Sequence, residues 1–151
     1  MAHCPICDEL EHCRAGTHPR LIARLGASYA VLHTQQGPRG WCVLWLDRHA
    51  DHLDELDAGA QGRLFGDVAL VARAQRAVFA GAGGAPPRIN YACLGNQVAH
   101  VHWHLVPRHA DDPMPAVPVW SWPAALLEGP ADARGQASLI AQLRAAVRRA
   151  Q

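Results

Sequence analysis

The chain has no lysine: all fourteen of its basic residues are arginine. A Walker-type phosphate lysine and a Schiff-base lysine are thereby excluded. Any phosphate must be held by arginine, histidine, hydroxyls or backbone amides. Charge is sparse too, at 18% of residues against 50% hydrophobic, a balance that excludes wholesale disorder. A formal net charge of +1 supplies no basic field, so no nucleic-acid partner is expected. No stretch nears the ~20 apolar residues of a membrane span, and none is expected. The opening residues lack the basic and apolar regions of a secretory signal, which makes the cytoplasm the expected compartment. The five cysteines are an odd number, which argues against a secreted disulfide scaffold.

The 151 residues suit one domain with a real core. That core is expected over about residues 1–112, with a proline-rich tail and a C-terminal helix over 113–151. Tyr29–His33 and Trp41–Leu46 read as strands joined by a turn-rich loop. From Asp57, a plausible N-cap, to Ala80 the pattern is helical, with Leu64, Val68, Val71 and Ala72 at spacings of three and four. Gly81–Gly84 and Pro86-Pro87 end it. Arg88–Leu94 and Val98–Val106 read as two more strands, closed by Pro107. The prolines around residues 111–122 argue for an extended, docked tail. Leu139, Ile140, Leu143 and Val147 place one stripe on a last helix over 136–150. Strands without regular βαβ alternation indicate an α+β fold.

Within the fourth strand, His100, His102 and His104 alternate with Val101, Trp103 and Leu105. Residues two apart on a strand share a face, so the imidazoles form a row roughly 6.6 Å apart with an apolar back. Three chemistries suit such a row. The histidines can be structural, they can begin a zinc site, or one can attack phosphorus while its neighbours orient it and donate to the leaving group.

The flanks favour the third. The stretch Gly95-Asn-Gln-Val-Ala-His-Val-His-Trp-His-Leu-Val-Pro-Arg108 resembles the signature of the histidine triad (HIT) family, and its ending is similar to the diadenosine polyphosphate hydrolase branch. His33-Thr-Gln-Gln-Gly-Pro-Arg-Gly40 and the strand after it are similar to an upstream family segment. The resemblance spans roughly residues 29–109. It implies an antiparallel sheet of about five strands, one long helix, a C-terminal helix and a homodimer with sheets continuous across the interface. It implies hydrolysis or transfer at the α-phosphate of dinucleoside polyphosphates or adenylated small molecules. His102 then matches the nucleophile, His104 the histidine that contacts phosphate and leaving group, and His100 the supporting one. Asn96 and Gln97 would donate to phosphate oxygens, His33 falls at a ribose-contacting position, and Asn90 is a softer candidate for substrate contact. The chain departs from the family at Trp41, where histidine is usual, and at Leu46-Asp47, where Pro-Lys is frequent.

Cys4-Pro-Ile-Cys7 has zinc-clamping spacing but is half a site. The resemblance to zinc-bearing HIT proteins and galactose-1-phosphate uridylyltransferases implies a structural zinc completed by His49 and His100; His3, His12 and Cys13 are local competitors. Trp120 and Trp122 suit packing of the tail, a nucleobase pocket or a dimer interface, and Arg108 either phosphate or solvent. Two rival functions stay open: a nucleotide-binding regulatory protein with little turnover, and a metal-dependent hydrolase with the histidine row as ligands.

Overall fold

The structure, a computed structural model, describes residues 3–80, 85–129 and 132–151. It opens on a helix the sequence pattern does not announce, α1 (Pro5–Arg14). Pro5 lies in its first turn, where the missing N–H would have had no partner anyway. Ile6, Leu10 and Cys13, spaced four and three apart, are its buried stripe.

Five strands follow the order β1-β2-β3-β5-β4, every neighbour antiparallel. They are β1 (Leu21–Arg24), β2 (Ser28–Leu32), β3 (Cys42–Leu46), β4 (Arg88–Ala92) and β5 (His102–Arg108). The α+β class and the five-strand antiparallel sheet are as expected. The long helix α2 (Ala58–Phe79) begins at Asp57, whose carboxylate accepts the Ala60 N–H. Its expected stop at Gly81–Gly84 lies outside the described residues. In the tail, a 3-10 turn (Val119–Ser121) and the short α3 (Ala124–Glu128) precede α4 (Ala133–Ala150).

Alternation divides the sheet into two faces. Ala30, Leu32, Cys42, Leu44 and Leu105 pack against α2 and α4 in the main core, where Ile140, Leu143 and Val147 are buried. Tyr29, Val31 and Val43 pack under α1 on the opposite face. His102 and His104 pair with Trp45 and Val43, which places them on the α1 face. Val106 shares that face and is covered by the tail through Val119 and Trp122, together with Trp41.

Two buried polar side chains of α2 tie the helix to loops, and the second holds the loop that frames the site. Asp67 accepts from the backbone N–H groups of Gly26 and Ala27 and from the Ser28 hydroxyl. Gln75 donates to the carbonyls of Gly40 and Leu105, while Gln36 accepts the Gly40 N–H. Gly40 sits at φ 86°, and a Cβ there would meet the Phe79 ring, so only glycine fits this turn. The residue thus fixed is the next one, Trp41.

The expected strand over 98–106 is displaced. β5 begins at His102 and runs through Pro107, opposite Ile89, to Arg108. Before it, the chain leaves the ladder. The Val101 N–H donates to Ala50, and the Val101 carbonyl accepts from Leu46. His100 is therefore off the strand and fully buried.

Candidate active site and metal centre

His102 and His104 stand on β5 with ring centroids 5.1 Å apart. They line a cleft of about 180 Å³ with Ile6, Arg20, His33 and Trp45. His102 Nδ1 lies 2.6 Å from the His100 carbonyl oxygen. A carbonyl only accepts, so this nitrogen carries the proton and donates. The lone pair of His102 is thereby on Nε2, the nitrogen left for the cleft.

His104 has the opposite tautomer, set by a different partner. The Trp41 indole N–H donates to His104 Nδ1 at 3.2 Å. An indole nitrogen is a donor only, so His104 Nδ1 holds a lone pair and Nε2 carries the proton. Burial, then the neighbouring His102 and His33, drives the His104 pKa down to about 3. Trp41 is itself held by its surroundings: His33 stacks on it at 4.1 Å and Trp120 meets it edge-on at 5.9 Å. Trp120, exposed to 41%, also meets His104 edge-on at 5.7 Å. His33 is pushed below its ordinary range, chiefly by burial.

His100 belongs to a second constellation. Ligand atoms of Cys4, Cys7, His49 and His100 all lie within 4.8 Å of one another. His100 Nδ1 is 3.5 Å from Cys4 Sγ and 3.6 Å from Cys7 Sγ, and His49 Nδ1 is 3.4 Å from Cys7 Sγ. The outer nitrogens are occupied in the way a metal needs. His100 Nε2 lies 3.0 Å from the Leu46 carbonyl, which can only accept, so its Nδ1 lone pair points at the sulfurs. His49 Nε2 lies 3.1 Å from a carboxylate oxygen of Asp51. Burial, then the adjacent Cys4, raises the Cys7 thiol pKa; a divalent cation would reverse that by binding both thiolates. Two thiolates and two imidazoles fit the tetrahedral set that zinc takes, and no position is left over for substrate. The half-site Cys4-x-x-Cys7 is thus completed by His49 and His100, while His3, His12 and Cys13 lie outside the cluster.

The remaining expected site residues fall elsewhere. Asn96 and Gln97 are exposed in the loop between β4 and β5. Asn90 shares the histidine face, but its Oδ1 accepts from Arg108 at 2.9 Å. Arg108 is engaged within the protein and largely shielded from solvent. It pairs with Asp112 at 2.8 Å, donates to the Met114 carbonyl and stacks over Trp122, so it pins the tail.

Arg20, Trp45, Asp51, Gln36 and Gln75 are the participants the sequence reading missed. Arg20 precedes a four-residue strand with no alternating pattern, and the glutamines sit in a loop and a helix with nothing local to mark them. Trp45 was legible as a strand residue, but its position beside His102 depends on the register of β3 with β5.

A model of the HIT domain matches residues 17–111. The chain belongs to the HIT domain family. Solved HIT structures agree in fold. A histidine triad protein from Sinorhizobium meliloti 1021 is 26% identical, covers 82% of this chain and 86% of its own, and has a TM-score of 0.69. One from Bradyrhizobium japonicum is 25% identical over 84% and 89% of the two chains, with a TM-score of 0.70. A Zn-bound histidine triad family protein from Mycobacterium smegmatis is 21% identical over 97% and 94%, with a TM-score of 0.65. No curated protein matches. In this HIT protein His100 lies in the Cys4, Cys7 and His49 cluster, while His104 meets Trp41.

Proposed function

We propose that the protein is a nucleotide hydrolase or transferase acting at an α-phosphate through a nucleotidyl group on His102. The observation that carries this reading is the tautomer of His102: its proton is fixed on Nδ1 by the His100 carbonyl, and Nε2 presents its lone pair to a cleft that also holds Arg20. A neutral imidazole so oriented is a competent nucleophile at neutral pH. His102 Nε2 displaces the leaving group from phosphorus, and water or a second acceptor then takes the nucleotidyl group and frees the imidazole. Arg20 and His104 Nε2–H supply fixed donors for charge on the phosphoryl oxygens, the part a lysine cannot play here. Asn96 and Gln97, exposed beside the strand start, are donors that reach phosphate once substrate is bound. Dinucleoside polyphosphates such as diadenosine tetraphosphate and adenylated small molecules are the substrate classes.

The metal cluster is a structural zinc centre in this reading. It ties α1, the segment after β3 and the start of β5 together, and its four ligands leave no open position. The Zn-bound relative supports the choice of metal. Neither His102 nor His104 belongs to that cluster, which disfavours a metal-dependent hydrolase with the histidine row as ligands. A homodimer joined through the outer edge of β4, where Tyr91 and Leu94 are exposed, completes the reading.

The test is AMP release from a panel of adenylated compounds by the wild type and by His102→Ala. Release by the wild type and its loss by at least ~10³-fold in the variant is the expected result, given the scale of covalent catalysis. Equal rates for the two proteins would refute the mechanism. Tight nucleotide binding without release would favour the regulatory protein instead.

A further inference from the structure

The Trp41 indole N–H donates to His104 Nδ1, and this contact has a chemical consequence. We propose that the Trp41 indole fixes His104 as a neutral Nε2–H hydrogen-bond donor, so the site expels leaving groups that depart as oxyanions and discriminates against amine leaving groups. This rests on the reading of His102 as nucleophile and selects among its substrate classes.

The geometry gives one route. His104 Nδ1 faces the Trp41 N–H at 3.2 Å. A proton added at that nitrogen would confront another N–H, since indole cannot accept. The groups around the ring offer no compensating negative charge. They are His102 on β5, His33 from the loop after β2, Trp41 itself and Trp120 from the tail. The charged side chain on the same cleft is Arg20, a cation. The low basicity of His104 agrees with this surrounding. Trp41 is 3% exposed and its loop is held by Gln36 and Gln75, so the indole has no room to turn away.

The two leaving groups then separate by where the electrons go. When His102 Nε2 forms its bond to phosphorus and a P–O bond breaks, the electron pair leaves on a terminal phosphate oxygen. That oxygen is stable as an anion, with a second phosphate pKa of about 6, so no proton is required. His104 Nε2–H steadies it by a hydrogen bond alone. When a P–N bond breaks, the pair leaves on nitrogen, and an amide anion is far too basic to depart unprotonated. The proton would have to come from His104 Nε2, leaving a buried imidazolate with the indole N–H as its partner. No imidazolium is on hand to give it instead.

The experiment compares kcat/KM for diadenosine tetraphosphate and for adenosine 5′-phosphoramidate in the wild type, Trp41→His and Trp41→Phe. The tautomer of His104 is read in the same proteins by 15N NMR, assigned against His104→Asn. The expected wild-type result is at least a hundredfold preference for the anhydride and a His104 spectrum with the proton on Nε2. In Trp41→His, where the neighbour can pass a proton, the preference narrows at least tenfold. Trp41→Phe, which keeps an aromatic ring but no N–H, loses the single tautomer. A merely structural Trp41 would slow both substrates alike and leave the ratio unmoved, and that result overturns the proposal. So does a wild type that prefers the phosphoramidate, or a His104 protonated on Nδ1. If the phosphoramidate is preferred while His102→Ala is still dead, only this inference falls. If the wild type turns over neither compound, the nucleophile reading falls with it.

Discussion

An imidazole buried among other imidazoles titrates late, and His104 takes this furthest. The unfolded chain protonates its histidines near 6.5, whereas folded His104 holds out to about 3. Between those values the unfolded state binds the extra proton, so stability falls as pH drops from about 6.5 toward 3. His18 and His33 are also lowered mainly by burial and act in the same direction. Denaturant melts at pH 7 and pH 5 should show a lower midpoint at pH 5. His104→Asn, which has nothing to titrate there, should show a smaller difference between the two pH values. A second residue-scale expectation concerns the cysteines. Cys7→Ser should lower bound zinc from about one per chain, measured by elemental analysis of the purified protein. The melting temperature should fall by roughly 10 °C, the shift about 3 kcal/mol produces in a domain of this size. Unchanged zinc content would place the metal elsewhere.

Elements differ in how plainly they show in the sequence, and the reasons are physical. β2 and β3 announce themselves as continuous apolar runs buried on both faces, and α2 by a buried stripe long enough to repeat. α1 is built on three buried residues among charged ones, a stripe too short to stand out, and it is fixed by Cys4 and Cys7 meeting residues from far along the chain. The start of β5 misleads for the same reason. His-Val-His-Trp-His alternates as a strand should, yet the four-ligand cluster draws His100 out of the ladder, and Val101 pairs with Ala50 and Leu46 instead. That His102 and His104 share one surface is legible in the sequence, and the resemblance implies the ligand set. The division of the row between two sites is not legible there. The clearest prediction at this scale is Asp67→Ala. It removes three hydrogen bonds to a buried carboxylate that tie α2 to the β1–β2 turn. A loss of about 3 kcal/mol is expected from urea melts, with kcat little changed below the melting range, since Asp67 lies on the face opposite the cleft.

At the scale of the molecule, the sheet carries the candidate site on one face and the main core on the other. α2 and α4 fill the core face. α1 and the tail leave a cleft between them on the other, where His102 and His104 emerge. The tail is part of this arrangement through Arg108, which ties Asn90, Asp112 and the Met114 carbonyl together, and through Trp120 against His104. The helices among the described residues include none long and apolar enough to cross a membrane. The outer edge of β4 is where a second copy would add its sheet, and light scattering on the purified protein should return twice the 16.3 kDa chain mass; a monomer at all concentrations would refute that part. The proposed mechanism turns on a phosphorus–nitrogen bond at one residue. Brief mixing with diadenosine tetraphosphate, alkaline quench and peptide mass analysis should find adenylyl on the peptide bearing His102, in amounts that rise and decay with turnover. Turnover with no adduct there at any time, or an adduct on another residue, would contradict it.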